Sequence, residues 1–223
     1  MARTENDERA PQRLCPPPPQ APSCLLGLRE RKKLRTRKEL EETALALFAE
    51  RGFDATTVEE VVTRVEVSPR TFFRYFASKE DVLLSEDGER RDQLMAALVA
   101  RPAGEPVLTA VHRAVLSLAG MYETERDRLF QVYRLMEETP SLRARNLELQ
   151  GAWAQALTAE VARRLHADPV ADLLPRLVSR VALATLHAAV LTWFASGGRS
   201  DLPDLVDRAF AHLAGGIDVE PPG

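Results

Sequence analysis

The chain has 223 residues, 45% of them hydrophobic and 28% charged, with a formal net charge of −3. That length holds one large domain or two small ones, with a core that needs no disulfide or metal. The balance of charge excludes a uniformly basic nucleic-acid binder, so any DNA-binding surface must be local. The two cysteines, Cys15 and Cys24, lie in a Pro-rich stretch, match no metal spacing and make no disulfide framework. No signal peptide is visible. The longest uncharged apolar run, 181–196, contains His187 and is shorter than the roughly 20 residues that span a bilayer. These features predict a cytoplasmic protein with no membrane partner.

In chain order, residues 1–28 carry Pro11, Pro16, Pro17, Pro18, Pro19 and Pro22 without helical or strand period, and read as a disordered tail or in part a mis-assigned start. A basic run follows, with Arg29, Arg31, Lys32, Lys33, Arg35, Arg37 and Lys38 against the single acid Glu30. Alone it reads as a solvated segment; ahead of a DNA-binding unit it is placed to touch phosphates. Thr36 with Glu39 makes a capping box that predicts the start of the first helix. Leu40, Ala44, Leu47 and Phe48 then form one apolar stripe, and Gly52 stops the helix. Thr57 with Glu60 opens a second, short helix containing Val58, Val61 and Val62. Ser68 caps a third, with Pro69 at its first position, where a missing N–H is harmless. Ser78 with Asp81 opens a fourth.

Beyond this point longer helices are predicted over 79–100, 105–122, 124–138, 140–166, 169–197 and 201–215. Their breaks are Pro102 and Gly104, Gly120, Thr139-Pro140, Asp168-Pro169, Gly197-Gly198 and Asp201. No strand pattern competes. The expected fold class is all-α, about nine helices: a three-helix domain over 29–78 and a larger helical domain over 79–217.

A short helix, a three-residue turn (Val65, Glu66, Val67) and a second short helix over 57–76 is the layout of a helix-turn-helix. Val58, Val61, Val62, Val65, Val67, Phe72 and Phe76 suit the interior. Arg70, Thr71, Phe73, Arg74 and Tyr75 are left for the outer face and its edges. Arg forks onto guanine O6 and N7, Thr reaches a base edge or thymine methyl, and an aromatic ring packs on methyl or sugar. The helix N-terminus opened by Ser68 favours a phosphate. A helical bundle with an exposed aromatic face is the bland alternative.

Residues 36–85 resemble the N-terminal domain of the TetR/AcrR family of regulators. The resemblance is carried by Ala46-Leu47-Phe48-Ala49-Glu50-Arg51-Gly52-Phe53, by Thr57-Val58, and by Val67-Ser68-Pro69-Arg70-Thr71-Phe72-Phe73-Arg74-Tyr75-Phe76 with Lys79 following. It implies that Thr57 bonds a phosphate, that Pro69, Arg70, Thr71 and Arg74 face bases, and that Lys79 bonds a phosphate at the start of helix 4. Two positions depart from the family pattern. Phe73 stands where Tyr is usual, with Tyr75 where His is common, and Glu66 stands where the turn commonly has Gly.

The resemblance also implies that the larger domain dimerises and binds a small molecule. Leu177, Val181, Ala184, Ala188, Leu191 and Ala195 form one stripe, and Leu205, Ala209, Phe210 and Leu213 another; the two helices resemble the family's dimerising pair. Two recognition helices would then lie roughly 34–36 Å apart on a near-palindromic operator. Tyr122, Tyr133, Arg134, Met136, Trp153, His187 and Trp193 are candidates to line an effector pocket, chiefly Tyr133, Trp153, His187 and Trp193, although each reads first as a core or satisfied interior residue. No catalytic constellation, metal-ligand spacing or cofactor motif stands out; the four histidines are scattered, and no cofactor is expected. The expected function is a homodimeric repressor released from double-stranded operator DNA by a small-molecule effector. A helical binding or enzymatic module with a vestigial DNA domain, an activator, and a protein-responsive regulator are the alternatives.

Overall fold

The computed structural model describes residues 27–216. Their regular structure is entirely helical, in the order α1 (Leu28–Arg51), α2 (Val58–Arg64), α3 (Pro69–Tyr75), α4 (Lys79–Leu83), α5 (Asp87–Val99), α6 (Val107–Thr124), α7 (Arg126–Glu138), α8 (Pro140–Leu165), α9 (Leu173–Ala195) and α10 (Leu202–Gly215). The Pro-rich tail and both cysteines lie outside the described residues.

Three boundaries differ from those read in the sequence. Helix α1 begins at Leu28, so Thr36 sits inside it and caps nothing. Arg, Lys, Leu and Glu are all good helix formers, and no Gly or Pro lies between Gly27 and Gly52 to interrupt them. The helix expected over 79–100 is two helices, which makes ten among the described residues instead of nine. At the break, Asp87 N donates to Leu84 O (3.0 Å) and the Arg37 guanidinium donates to Ser85 O (3.0 Å). A distant arginine thus satisfies the carbonyl that the break frees, and the one local breaker is Gly88 in the first turn of α5. Helix α9 begins at Leu173 because Asp168 Oδ1 accepts from the N–H groups of Val170 (2.6 Å) and Ala171 (3.0 Å), holding 168–172 in a turn. At 23 residues and a mean hydropathy of 1.5 over its most apolar window, α9 does reach bilayer-spanning length and apolarity, unlike the run 181–196 alone; only 28% of that window is buried in the protomer.

Two hydrophobic cores organise the chain. In the first, Leu40, Ala44, Leu47 and Phe48 of α1 pack with Val61 and Val62 of α2, Phe72 of α3, Phe76, and Val82 and Leu83 of α4. Val132 and Leu135 of α7 and Leu142 of α8 complete it. In the second, α5, α6, α8, α9 and α10 close around Leu118, Leu157, Val206 and Trp193. Leu129 and Phe130 of α7 pack against that second core. One helix therefore carries apolar side chains into both.

Where the cores meet, a set of charged groups is paired, although Ser85 Oγ, Arg90 Nε and Arg128 Nη2 are buried without a hydrogen-bond partner among the described residues. Glu86 Oε2 accepts from Arg90 Nη2 (2.6 Å) and Arg128 Nη1 (2.5 Å), and Arg90 also donates to Glu125. Trp153 Nε1 donates to Asp87 Oδ2 (2.8 Å), and Arg145 Nε to Asp81 Oδ1 (3.1 Å). Burial raises the Glu86 and Asp87 carboxyls above their ordinary range and pushes the Tyr122 phenol up to about 12.

The turn between α9 and α10 supplies a stability test. Gly198 has φ +68°, and a Cβ there would stand 2.5 Å from the Arg126 guanidinium. Arg126 Nη2 itself donates to Gly197 O (3.0 Å). Gly198→Ala is expected to destabilise the fold by about 1–2 kcal/mol, a lowering of Tm by roughly 2–8 °C in thermal unfolding. An unchanged Tm would mean that the turn tolerates a side chain.

Candidate nucleic-acid interface

A seven-residue helix is not stable by itself in water, so α3 depends on how it is held. Ser68 Oγ accepts from Thr71 N (3.2 Å), Pro69 occupies the first turn, and Phe72 and Phe76 are buried in the first core with ring centroids 5.3 Å apart. The turn before it is equally specified. Val67 N donates to Val62 O (3.0 Å) and Glu66 N to Thr63 O (3.2 Å), with Glu66 at φ 58°. This is a Schellman closure of α2, and its left-handed position is the one filled by Glu66. A non-glycine residue in that conformation costs roughly 1 kcal/mol.

The face left outside carries Pro69, Arg70, Phe73 and Arg74, all exposed, with Thr71 and Tyr75 half-buried at its edges. Phe73 is 56% exposed although large and apolar. Arg74 lies 4.9 Å over the Tyr75 ring and donates to the Tyr75 hydroxyl (3.2 Å). The pairing orders the arginine and leaves the α3 surface with two guanidinium groups and no acid. A short cationic helix edged by a hydroxyl and an exposed ring has the size and chemistry for a major groove.

The supporting residues do more internal work than their sequence roles imply. Thr57 closes a full capping box: its Oγ1 accepts from Glu60 N (3.2 Å), and Glu60 Oε2 accepts from Thr57 N (2.8 Å). The backbone N–H of Thr57, first, then its hydroxyl and Arg51 hold the Glu60 carboxyl below its usual range. A lowered folded pKa means that the cap is intact at neutral pH and weakens as pH falls through the carboxylate range. Lys79 Nζ donates to Phe53 O (2.7 Å) and Thr56 O (2.9 Å) and sits 4.1 Å over the Phe53 ring. Arg37 is spent on Glu41 (3.1 Å), Glu89 (3.3 Å) and Ser85 O. Both cations fasten the domain from within, and apart from the i,i+4 pair of Arg37 with Glu41 their partners lie 23 to 52 residues away, where no local pattern signals them.

The expected effector residues do not converge on one place. Tyr133 stacks on Phe194 (3.9 Å, 9°), and Trp193 packs against Phe130 (5.0 Å) and Phe194 (5.2 Å), so these two share a seam between α7 and α9. Trp153 is instead bonded to Asp87. His187 is exposed on the outer side of α9, as is Arg134 on α7; Tyr122 lies below the Arg90 guanidinium, and Met136 packs against the first core. Phe130 and Phe194 had no sequence signal beyond their being apolar.

The two stripes read for a dimer also part company. On α9, Leu177 (49%) and Leu191 (39%) are exposed together with Ala184, Ala188 and Ala195, and Val181 is half-buried. On α10, Leu205 and Phe210 are buried in the protomer's own second core, and Ala209 and Leu213 are half-buried. That stripe anchors α10; periodicity marks an apolar face without saying which neighbour covers it.

Comparisons with known proteins bear on this arrangement. Residues 41–85 match the family model described as bacterial regulatory proteins, tetR family, and residues 105–218 match the MftR C-terminal domain. The HTH-type transcriptional regulator TcmR of Streptomyces glaucescens is 37% identical over 75% of this chain and 77% of its own length. The chain belongs to the TetR family. Among other members, the HTH-type transcriptional repressor AcnR of Corynebacterium diphtheriae is 29% identical over 78% of this chain and 90% of its own. The crystal structure of the Thermus thermophilus TetR-family repressor FadR in complex with lauroyl-CoA is 25% identical, covering 84% of this chain and 99% of that one, with a TM-score of 0.51. As a TetR-family transcription regulator the chain binds DNA, and α2, the Glu66 turn and α3 fall within the matched residues 41–85.

The double carbonyl contact of Lys79 makes a separable prediction. In this TetR-family head, Lys79→Met is expected to lower unfolding stability by about 2 kcal/mol, because two charge-assisted bonds are lost together. Denaturant unfolding reads it; a loss of DNA affinity with stability unchanged would show instead that the ammonium serves only the DNA.

Proposed function

We propose that this TetR-family regulator is a homodimeric repressor that leaves a near-palindromic operator when a small-molecule effector binds its helical body. The observation that carries the reading is α3, whose exposed face holds Arg70 and Arg74 while its buried face is fixed by Phe72. Arg70 and Arg74 read base edges, with Thr71 and Phe73 beside them; Pro69 and the Ser68 cap bring the helix N-terminus toward a phosphate. Thr57 and Tyr75 take backbone contacts, and Lys79 and Arg37 hold the geometry. Relatives named as repressors, AcnR and FadR, support the sign of regulation, and the lauroyl-CoA bound to FadR supports an effector in the helical body. The protein acts in the cytoplasm and catalyses nothing.

The exposed stripe of α9 supports the dimer. Leucines interrupted by alanines allow close helix approach, and an apolar face of that extent is unfavourable in water. In a closed dimer the stripe meets its own copy, as two-fold symmetry requires. A ligand releases DNA only by binding better to the state whose recognition helices are wrongly spaced.

Electrophoretic shift with the DNA upstream of the protein's own gene tests the first part. Arg70→Ala with Arg74→Ala is expected to weaken binding at least about 30-fold, since each bidentate contact is worth about 1–3 kcal/mol. A folded dimer that binds no such DNA at low salt sinks the reading, as does a double variant that binds like wild type. For the dimer, Leu177→Glu with Leu191→Glu should sediment as a monomer at micromolar concentration; persistence of the dimer would place the interface elsewhere.

A further inference from the structure

The seam between α7 and α9 combines two independent features. The first is its rings: Phe130, Tyr133, Trp193 and Phe194 form a continuous set of edge-to-face and stacked contacts. The second is an unanswered donor. The Trp193 side chain is fully buried, and its indole N–H has no hydrogen-bond partner among the described residues. A buried donor without a partner is rare because its desolvation is uncompensated. The other tryptophan shows the contrast, since Trp153 answers its N–H with Asp87.

We infer that this seam is the effector's docking site, and that the effector is a planar unsaturated ring system carrying a hydrogen-bond acceptor such as a carbonyl. The inference rests on the ligand-responsive reading above. The ring system takes the place of the Tyr133 ring against Phe194, where Tyr133 is only half-buried. Its acceptor oxygen takes the Trp193 N–H. Flat rings fit because offset-stacked and T-shaped contacts are what these four side chains offer. An extended acyl chain has a carbonyl to offer the donor but forgoes the stacking.

The seam is also placed to report its occupancy. Helix α7 carries Phe130 toward it, Val132 and Leu135 into the core that holds α3, and Arg128 onto Glu86 at the α4–α5 break. A ring wedged between α7 and α9 displaces α7, and the displacement reaches the DNA-binding head through those three side chains.

The test uses the full chain on fluorescent operator DNA, with flavone and xanthone as aromatic probes and lauroyl-CoA as the acyl contrast, read by calorimetry and by anisotropy. Flavone or xanthone should bind and release the operator. Trp193→Phe keeps a ring and removes the donor, so it should weaken that binding about three- to tenfold while DNA affinity without compound stays within twofold. If Trp193→Phe proves unfolded, Phe194→Leu, which removes the stacking surface, serves in its place and should weaken binding comparably. Arg128→Gln should keep probe binding and blunt release. Aromatic binding indifferent to both seam substitutions overturns the inference. Release by lauroyl-CoA alone, unaffected by Trp193→Phe, overturns it and leaves the ligand-responsive reading standing; binding and release by none of the three overturns the inference and counts against that reading too.

Discussion

Helix α7 divides its apolar side chains between two cores, and the rest of the molecule depends on that division. Val132 and Leu135 are buried with α1 to α4, while Leu129 and Phe130 pack on the core of the larger body. A helix buried along one stripe belongs to one core; a helix buried along two cannot shift without disturbing both. The recognition helix is too short to hold its own shape, so its position is set by a core that α7 helps to close. A local fold of about 50 residues thereby becomes answerable to a body three times its length.

The polar joint beside α7 works in the same sense. Glu86 is held by Arg90 from its own helix and by Arg128 from α7, with Glu125 as a second acceptor for Arg90. Buried charges of this kind add little net stability against an apolar alternative, but removing one partner strands the other. Their contribution is to fix one register of α4–α5 against α7. Arg145 on Asp81 and Arg37 on Ser85 O add two further fastenings around the same break. The head is attached by directional bonds at the joint and by non-directional packing through α7. That combination permits a small set of discrete arrangements and resists continuous bending.

Much of this was legible from local chemistry. The Thr57–Glu60 box, the Ser68 cap with Pro69, the Ser78 cap and the Gly52 stop each depend on groups a few residues apart, and each appears in the structure with the expected donors and acceptors. Glu66 stands at a turn position commonly occupied by Gly in the family, and its backbone is left-handed there at φ 58°. What failed to show was decided at a distance. The α4–α5 break is satisfied by Arg37, 48 residues earlier. Lys79 spends its charge on carbonyls of the α1–α2 loop. On the α10 stripe Leu205 and Phe210 are buried in the protomer's own core while Ala209 and Leu213 are half-buried, and periodicity cannot tell a protomer's own core from a partner's. Trp193 looked like any core aromatic, and only the absence of a partner for its N–H among the described residues sets it apart.

The account stands on α7 being common property, and hydrogen exchange in the folded protein tests it most directly. Val132→Ala removes a side chain that touches only the first core. If the two cores are coupled through α7, amides of α1 and α4 and amides of α8 and α9 lose protection together, because opening one releases the other. Loss of protection confined to α1–α4, with α7, α8 and α9 exchanging as in wild type, would show two independently stable units and contradict the account.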